Sequence, residues 1–581
     1  MEEQIMKFSK WTRALTIMLA LILFASFAAC SGKASPSDGS GSVTTAAAST
    51  QAGSGTEAAT APAPEPLGKY SPEINVTSVK SLDDTMQKLI GTKSDVVTNN
   101  IWFNAYKNDL GINVSYNCTV PGAQFEQKMN VAISANDLPD IIPANQRQLK
   151  LLVDSGVALD LTKIFQDYAS PFTMEMMQAD NNVSIEQATF DGKLMAIPQV
   201  SGNRDHSNML WIRNDWLKNL NLQAPGTMDD VFKIAEAFTK DDPDQNGKDD
   251  TYGLALQKGL IEQGWADISG FMESYHAYIG TNAWIKDSSG KLVYGGIQPE
   301  VKTALTKLAE MYKAGQIDKE FSIKDGSKVA ESVVGGRVGM IYGQHFLAFY
   351  PFQDCKNKDP KSDWMPYPLA SIDEKPVMTM VNGSAGLFYV VNKEMKNPEA
   401  AVKLYNFYYA KDPALSGDFD PKFHGTGIGQ GSEPGENYFW AVVQTWYPMQ
   451  NLFIHQQVKK YFETKDEALL QNYWIKDNVE QNKKYLAGDN KFYSAFAWSG
   501  TNGAESIIDY YDQNGLMLQN AYIKADTDSM TQKGATLKQT RDEIFTKIIM
   551  GIAPVSDFDK YVEQWHKLGG DDITDEVNAV K

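Results

Sequence analysis

The chain has 581 residues, a length that favours two or more folded lobes over a single core. Hydrophobic residues make up 43% and charged residues 22%, as in folded proteins rather than disordered ones. The 54 Lys and Arg against 72 Asp and Glu give a net charge of −18, which argues against a nucleic-acid-binding protein. The three cysteines are too few for a disulfide scaffold or a four-cysteine zinc site.

The first 29 residues have the pattern of an export signal. Basic residues precede an apolar stretch of roughly 16 residues, which is short for a membrane-spanning helix. The stretch ends at Ala28-Ala29-Cys30 and resembles a bacterial lipobox, with Phe27 where Leu is usual. We therefore predict that residues 1–29 are removed and that Cys30 is lipidated, for example with palmitate. The protein would then be anchored to the outer face of a bacterial cell membrane. The alternative is an ordinary signal peptide with a chance cysteine.

Residues 31–66 are dominated by Ala, Gly, Ser, Thr and Pro and contain no aromatic residue. Such a composition cannot bury enough apolar surface to offset the entropy of ordering the chain. We predict that residues 30–66 are the lipidated cysteine and a flexible tether, which would span about 30–35 Å as a coil.

The folded part begins near Tyr70. Alternation at Ile112, Val114 and Tyr116 predicts a strand, helical spacing follows from Phe125, and a buried strand follows at residues 141–142. This β-α-β-α order favours a largely parallel sheet covered by helices.

Farther along the chain, residues 211–213 are predicted to form a strand, with Asn214-Asp215 as a candidate cap of the next helix. Thr227 is the expected N-cap of a later helix, and the C-terminal quarter is predicted to be mainly helical. Apolar neighbours assign four tryptophans to packing: Trp211, Trp216, Trp284 and Trp565.

Several segments together resemble the extracellular solute-binding proteins of bacterial ABC importers, and among them the large oligosaccharide-capturing lipoproteins of Gram-positive bacteria. The segments are residues 136–142, 191–193 with 197–198, 212–217, 335–340, 545–551, and 565–578. Each segment alone is weak, but together they extend from about residue 70 to residue 578.

The resemblance implies an α/β fold of two lobes, joined by a hinge around a ligand cleft, with a helix-rich C-terminal part. Hinge crossings are expected near residues 198–208 and 378–385. The predicted division is residues 67–202 and 381–450 for the N-lobe, and residues 203–380 and 451–581 for the C-lobe.

Residues 242–250 have the spacing of a calcium loop. Oxygen-bearing Asp242, Asp244, Asn246 and Asp250 occupy loop positions 1, 3, 5 and 9, and a glycine occupies the sharp turn at position 6. The backbone carbonyl of Lys248 at position 7 completes the pattern. The bidentate Glu of an EF-hand is missing at position 12. The loop resembles the calcium loop of oligosaccharide-binding members of the family, in which positions 9 and 10 complete the ligand shell. This resemblance adds Thr251, at position 10, to the predicted metal-site residues. We therefore predict a structural calcium ion; the alternative is an acidic, solvated turn.

Ligand-binding candidates follow from chemistry and position. Sugars are held by aromatic faces together with amide, carboxylate and Arg groups, and pockets form at the carboxyl ends of strands. The family resemblance adds the stretch after residue 339, where members place a sugar-facing aromatic residue. The candidates are Asn145, Gln146, Gln199, Arg204, Trp265, Tyr342, His345, Trp446 and Trp498. For each tryptophan the alternative is core packing, and for His345 it is a structural role.

The sequence does not indicate an enzyme. None of the six histidines forms His-Glu-x-x-His, there is no Gly-x-Ser-x-Gly, and the glycine-rich residues 425–431 are best interpreted as a mobile loop. A carboxylate pair for glycoside hydrolysis is left open by the 72 acidic residues.

We therefore expect a monomeric receptor that captures an oligosaccharide by lobe closure and delivers it to an ABC permease. The alternatives are a receptor for a peptide or another solute on the same fold, and a secreted glycan-active enzyme or adhesion lipoprotein.

Overall fold

In a computed structural model, residues 64–411, 421–424 and 438–580 are described. Cys30, nearly all of the predicted tether and the glycine-rich residues 425–431 lie outside the described residues. The two largest hydrophobic cores of the described part are separate, and each is the centre of one lobe.

The strands are short, and most belong to small sheets. Their bounds are β1 Ile74–Leu82, β2 Ile112–Pro121, β3 Ile141–Ala144, β4 Thr189–Phe190, β5 Lys193–Leu194, β6 Ile197–Val200, β7 Met209–Arg213, β8 Tyr252–Leu254, β9 Trp284–Lys286, β10 Leu292–Tyr294, β11 Val338–Gly343, β12 Trp364–Tyr367, β13 Thr379–Val381, β14 Ala385–Val391 and β15 Met517–Gln519.

The α-helices cover the sheets and make up most of the C-terminal part. Their bounds are α1 Asp84–Thr92, α2 Ile101–Ala105, α3 Gly122–Ala135, α4 Gln146–Asp154, α5 Thr162–Tyr168, α6 Pro171–Gln178, α7 Val183–Gln187, α8 Asn214–Asn219, α9 Met228–Lys240, α10 Ser269–Glu273, α11 Pro299–Lys313, α12 Gly326–Val334, α13 Phe352–Lys358, α14 Glu399–Ala410, α15 Pro421–His424, α16 Gln450–Thr464, α17 Tyr473–Leu486, α18 Tyr493–Ser499, α19 Ala504–Gln513, α20 Asp528–Ile549, α21 Asp557–Trp565 and α22 Asp571–Ala579.

The N-lobe is built from residues before and after the C-lobe. Its hydrophobic core takes buried side chains from residues 76–200 and again from residues 385–443. Strands β1 and β2 pair in parallel, and a second sheet has the order β3-β14-β6. The hydroxyl of Ser78 donates to the carbonyl of Ile141 at 2.9 Å, which joins β1 to β3. The predicted strand at residues 112–116 and the helix from Phe125 are confirmed.

The expectation of a largely parallel sheet is wrong for the second sheet. β14 is antiparallel to both β3 and β6, because it returns from the C-lobe and is inserted between them. β3 and β6 therefore run in the same direction, and their carboxyl ends lie at the edge where β14 begins. This edge of the sheet faces the chain crossings between the lobes.

The C-lobe surrounds a mixed sheet of order β12-β7-β11-β8, in which only the β11-β8 pair is parallel. The four tryptophans assigned to packing are buried, as predicted: Trp211, Trp216, Trp284 and Trp565. The long helix α20 buries Leu537, Phe545, Ile548 and Ile549 on one face. A smaller apolar cluster lies between α16 and α17 and is contacted by Trp498.

The predicted helix cap is confirmed for α9 and is wrong for α8. The Thr227 hydroxyl accepts the N–H of Asp230, and the Asp230 carboxylate accepts the N–H of Thr227 in return. Helix α8 instead begins at Asn214, and the Asp215 side chain binds the buried Arg213 guanidinium at 2.6–2.8 Å. The predicted cap at Asn214-Asp215 is therefore wrong, because the Asp215 carboxylate pairs with Arg213.

Within the described residues, no helix is both long and apolar enough to cross a membrane. Cys355 is a free thiol and is buried.

Candidate functional site

The chain crosses between the lobes in adjacent, hydrogen-bonded segments. The first crossing is residues 201–208, between β6 and β7, and the second is residues 382–384, between β13 and β14. The Ser201 N–H donates to the Ser384 carbonyl at 2.8 Å, and the Asn203 amide donates to the Asn382 carbonyl at 3.3 Å. Residues 444–449 lie beside the first crossing, since the Trp446 N–H donates to the Val200 carbonyl at 3.1 Å. These segments form the hinge.

Three titratable side chains meet beside the first crossing, and we call Asp205, His345 and Glu505 the hinge cluster. Their nitrogen and oxygen ligand atoms all lie within 4.8 Å of one another. His345 Nδ1 is 2.5 Å from Glu505 Oε1, and the indole N–H of Trp498 donates to the same oxygen at 2.8 Å. Asn451 donates to Asp205 Oδ2 at 2.7 Å. Each of the three residues comes from a different part of the chain.

Burial and mutual charge determine the protonation of the hinge cluster. Burial raises the pKa of Asp205 to about 7, despite the opposing charge of His345. Burial alone would lower the pKa of His345, but the charge and hydrogen bond of Glu505 and the charge of Asp205 raise it to about 9. The two neighbouring carboxyl groups therefore make this position favourable for a positive charge.

Aromatic surface adjoins the hinge cluster. Trp498 is partly buried, and its ring centroid lies 5.5 Å from that of Phe349. Phe349 and Tyr350 are 49% and 50% exposed. The Arg204 guanidinium forms an ion pair with the Asp512 carboxylate at 2.8 Å. His206 Nδ1 lies 3.3 Å from the Gln344 side-chain oxygen.

The structure therefore brings together three of the predicted ligand residues: Arg204, His345 and Trp498. It adds Asp205, Glu505, Phe349 and Tyr350, which sequence reasoning missed. Asp205 follows Arg204 directly and could have been found by its position on the predicted crossing. No motif surrounds Glu505, which is 160 residues from His345 and reaches it only through the fold.

Trp446 and Gln199 lie on the N-lobe side of the same crossing. Trp446 is partly buried and packs edge-on against Tyr438, with ring centroids 6.1 Å apart. The Gln199 amide donates to the Tyr389 hydroxyl at 3.3 Å, which also accepts the Gln444 N–H at 2.7 Å. The aromatic face of Trp446 thus stands next to a polar network that fixes the end of β6.

Asn145 and Gln146 line a separate groove of about 530 Å³ between the lobes. Asn145 caps α4 in a capping box with Gln148, and the Gln146 amide donates to the Gln187 carbonyl at 2.9 Å. The Lys524 ammonium crosses the groove to the Glu186 carbonyl at 2.5 Å. The groove also contains Arg147, Asn282, Asn382 and Asn520.

Trp265 and Tyr342 are placed in the C-lobe interior. Tyr342 is 1% exposed and packs edge-on against Phe271 at 5.9 Å. Trp265 is 9% exposed and packs beside Gly343. All six residues of strand β11 are buried, and the Tyr342 side chain is buried with them. The prediction that Tyr342 contacts a ligand is therefore wrong for this conformation, and Trp265 follows its packing alternative.

The predicted calcium loop gathers its oxygen side chains at one point. Asp242 accepts the N–H groups of Asn246 and Gly247, each at 3.0 Å. The Asn246 amide donates to Asp244 at 2.7 Å and to Asp250 at 3.2 Å. Gly247 has φ +77°, which a glycine adopts without strain.

The charges in this loop repel one another. Burial, contact with Asp242 and the charge of Asp250 raise the pKa of Asp244 above its usual value. Three carboxylates at one point are a donor set suited to a hard divalent cation. The Asn246 side-chain oxygen instead accepts the Lys248 N–H at 2.8 Å. The buried Thr251 hydroxyl donates to the Phe238 carbonyl at 2.7 Å. Thr251 and the Lys248 carbonyl stay predicted ligands.

Two α/β lobes, a multiply crossed hinge and polar and aromatic residues at the crossings define a two-lobe binding protein. The family model for bacterial extracellular solute-binding proteins matches residues 77–414, and the chain belongs to this family.

Two relatives and one solved structure illustrate the likeness. The polygalacturonan/rhamnogalacturonan-binding protein YtcQ of Bacillus subtilis is 24% identical, with 79% of this chain and 83% of the relative covered. Lipoprotein LipO of Bacillus subtilis is 23% identical, with coverage of 79% and 85%. The Streptococcus pneumoniae substrate-binding protein FusA, an EF-hand mutant in complex with fructo-nystose, matches with a TM-score of 0.55 at 14% identity, covering 87% of this chain and 98% of that one.

Proposed function

We propose that this protein is the lipid-anchored, extracellular receptor of an ABC importer and that it captures an oligosaccharide between its lobes. The observation that carries the proposal is the placement of Trp498, Phe349 and Tyr350 beside the polar hinge cluster at the first crossing. A sugar ring presents apolar C–H faces and hydroxyl edges, so it needs an aromatic surface and polar groups in one place.

The charged groups at the crossing suit hydroxyl recognition. Arg204 and Asp512, and His345 and Glu505, are paired with each other and are therefore held in fixed orientations. Side chains in such ion pairs can donate hydrogen bonds to sugar hydroxyls and accept hydrogen bonds from them. No isolated charge is then left in the closed cleft. Trp446 and Gln199 supply a second aromatic and amide contact from the N-lobe side, and Asn145 and Gln146 extend the polar surface along the groove.

The relatives support a carbohydrate ligand. YtcQ is named for binding polygalacturonan and rhamnogalacturonan, and FusA was solved with fructo-nystose. The groove contains Arg147 and Lys524, which would suit the carboxylates of an acidic oligosaccharide, beside the acidic Glu126 and Asp526, which would suit sugar hydroxyls. The chain's net charge of −18 opposes a polyanion only at long range, where salt screens it beyond about 8–10 Å.

Lipidation of Cys30 and a calcium ion in the loop at residues 242–250 belong to the same proposal. A relative named as a lipoprotein and a structural neighbour with an EF-hand support them. Asp242, Asp244, Asn246 and Asp250 would hold the ion, which would neutralise their mutual repulsion and fix the loop after α9. The protein would act as a monomer, perform no chemistry, and dock on the permease when the lobes close.

Thermal unfolding with a panel of neutral and acidic oligosaccharides, and with a peptide mixture, tests this proposal. The melting temperature with each ligand is measured once in the presence of calcium and once in the presence of a chelator. A ligand at about 100 times its Kd adds about 2.7 kcal/mol of stability, which raises the melting temperature measurably. Small-angle scattering then detects lobe closure with the same ligand.

Variants connect binding to the site. Phe349→Ala is expected to weaken oligosaccharide binding, whereas the control Ile552→Ala, at a side chain 67% exposed after α20, is expected to leave it unchanged. A response to peptides alone would select a peptide receptor. No response to any glycan in calcium-loaded protein, with no compaction, would contradict the proposed function.

A further inference from the structure

The hinge cluster has the composition of a metal site. Asp205 lies in the turn Arg204–His206, His345 in the turn that follows β11, and Glu505 in the first turn of α19. Their ligand atoms lie within 4.8 Å of one another. In tetrahedral zinc sites, bonds of 2.0–2.2 Å place the ligand atoms about 3.3 Å apart. The three ligand atoms therefore lie near the spacing of a tetrahedral zinc site.

A second, independent observation is an unsatisfied oxygen inside the cluster. Glu505 is 0% exposed, and its Oε1 accepts from Trp498 and contacts His345. Its other oxygen, Oε2, is buried without a hydrogen-bond partner. A buried carboxylate oxygen without a partner has lost its hydration with nothing to replace it, so such an atom calls for a missing cation or donor.

The surrounding residues orient the ligands. The Asn451 amide holds Asp205 Oδ2 at 2.7 Å, and the Trp498 indole holds Glu505 Oε1 at 2.8 Å. Hydrogen bonds of this kind from neighbouring groups fix the ligands of metal sites. Arg204, the nearest cation along the chain, is engaged by Asp512 at 2.8 Å.

We propose that Asp205, His345 and Glu505 bind a divalent transition-metal ion of the Zn²⁺ type. One imidazole nitrogen and two carboxylates prefer such an ion to calcium, which is bound by oxygen ligands alone. This site is therefore chemically distinct from the loop at residues 242–250. The ion ties the first crossing, through Asp205, to the C-lobe residues His345 and Glu505, and so favours one lobe arrangement. The proposal does not depend on the identity of the organic ligand.

Zinc titration calorimetry on the purified full-length protein tests the site. The protein is first stripped of transition metals and then kept in excess calcium, so that the loop is saturated. We expect one Zn²⁺ per chain and a rise in melting temperature. His345→Gln and Glu505→Gln are each expected to weaken Zn²⁺ binding by about tenfold or more.

Two matched controls separate the sites. His566→Gln removes a histidine in an exposed pair with Asp571, 2.6 Å apart, and should leave Zn²⁺ binding unchanged. Asp242→Asn should weaken the stabilisation by calcium and leave Zn²⁺ binding intact. Co²⁺ gives a readout that does not depend on heat: its visible absorption should change on binding and revert in Glu505→Gln.

The proposal is overturned if Zn²⁺ binding is absent, or if both His345→Gln and Glu505→Gln bind it as the unaltered protein does. Should His345→Gln fail to fold, the Glu505→Gln titration and the Co²⁺ spectrum decide alone. A Co²⁺ spectrum in the protein identical to that in buffer would also overturn it.

Discussion

Glu273 joins the end of the first hinge crossing to strand β13, which precedes the second crossing, and is expected to make stability fall as the pH rises. Its carboxyl accepts the side-chain amide of Asn208 at 3.1 Å and the N–H of Met380 at 3.0 Å. The residue is 4% exposed, and burial raises its pKa from 4.5 to about 8 against the hydrogen bonds that favour the ion. The folded protein therefore keeps a proton that the unfolded chain releases above pH 4.5.

The sign and size of the effect follow from linkage. Between about pH 4.5 and pH 8 the native state binds more protons than the unfolded state, so the free energy of unfolding decreases with pH in that window. The difference between 4.5 and about 8 corresponds to about 5 kcal/mol lost across this window, at 1.36 kcal/mol per pH unit. Asp267, also buried with a raised pKa, acts in the same direction.

Glu273→Gln isolates the contribution of this one group, because glutamine resembles the protonated acid in shape and has no charge. The variant should match the unaltered protein near pH 5 and exceed its stability by about 2–4 kcal/mol near pH 9. Denaturant unfolding at pH 5, 7 and 9 measures the difference, with the exposed Glu374→Gln as control. A stability difference that stays constant across this range would refute the reasoning.

Three further outcomes are expected. Asp242→Asn should reduce the rise in melting temperature caused by calcium, as measured by differential scanning calorimetry with and without a chelator; an undiminished rise would place the calcium elsewhere. Cys30→Ser should release the protein from cells into the medium, as measured by fractionation, and continued membrane retention would contradict the lipid anchor. Gly295→Ala should destabilise the fold by at least about 1 kcal/mol, because the new Cβ would lie 1.9 Å from the Tyr278 carbonyl oxygen, and an unchanged unfolding midpoint would contradict this packing.

The fold class was predictable because local signals and the family segments agree along most of the chain. Strand β2, helix α3 and the Thr227 cap depend on spacing and side-chain chemistry within a few residues. The position of β14 was not predictable in this way. β14 pairs with β3 and β6, which precede the C-lobe in the sequence, whereas β14 follows most of it. No local pattern indicates a pairing over so long a sequence separation.

The candidate site was predictable only in part, for the same reason. Arg204 and His345 were found by their positions next to a crossing and after a strand, but Glu505 is joined to them only in three dimensions. Tyr342 shows the opposite error. The sequence pattern along β11 does not indicate that both faces of this central strand are covered. Because both faces are covered, a tyrosine near the end of the strand is buried and does not face the cleft.

The hinge contacts determine how ligand binding could move the lobes. The crossings are held to each other by a few polar bonds, Ser201 to Ser384 and Asn203 to Asn382, and Lys524 reaches across the groove to Glu186. Each such bond contributes only about 1 kcal/mol, so the balance between open and closed lobes is set by small differences. A ligand that contacts both lobes needs to favour the closed state by about 5.5 kcal/mol to shift a 1:99 population to 99:1. Aromatic and polar residues on both sides of the first crossing offer contacts from both lobes, whereas contacts from one lobe alone would bind ligand without closing the cleft.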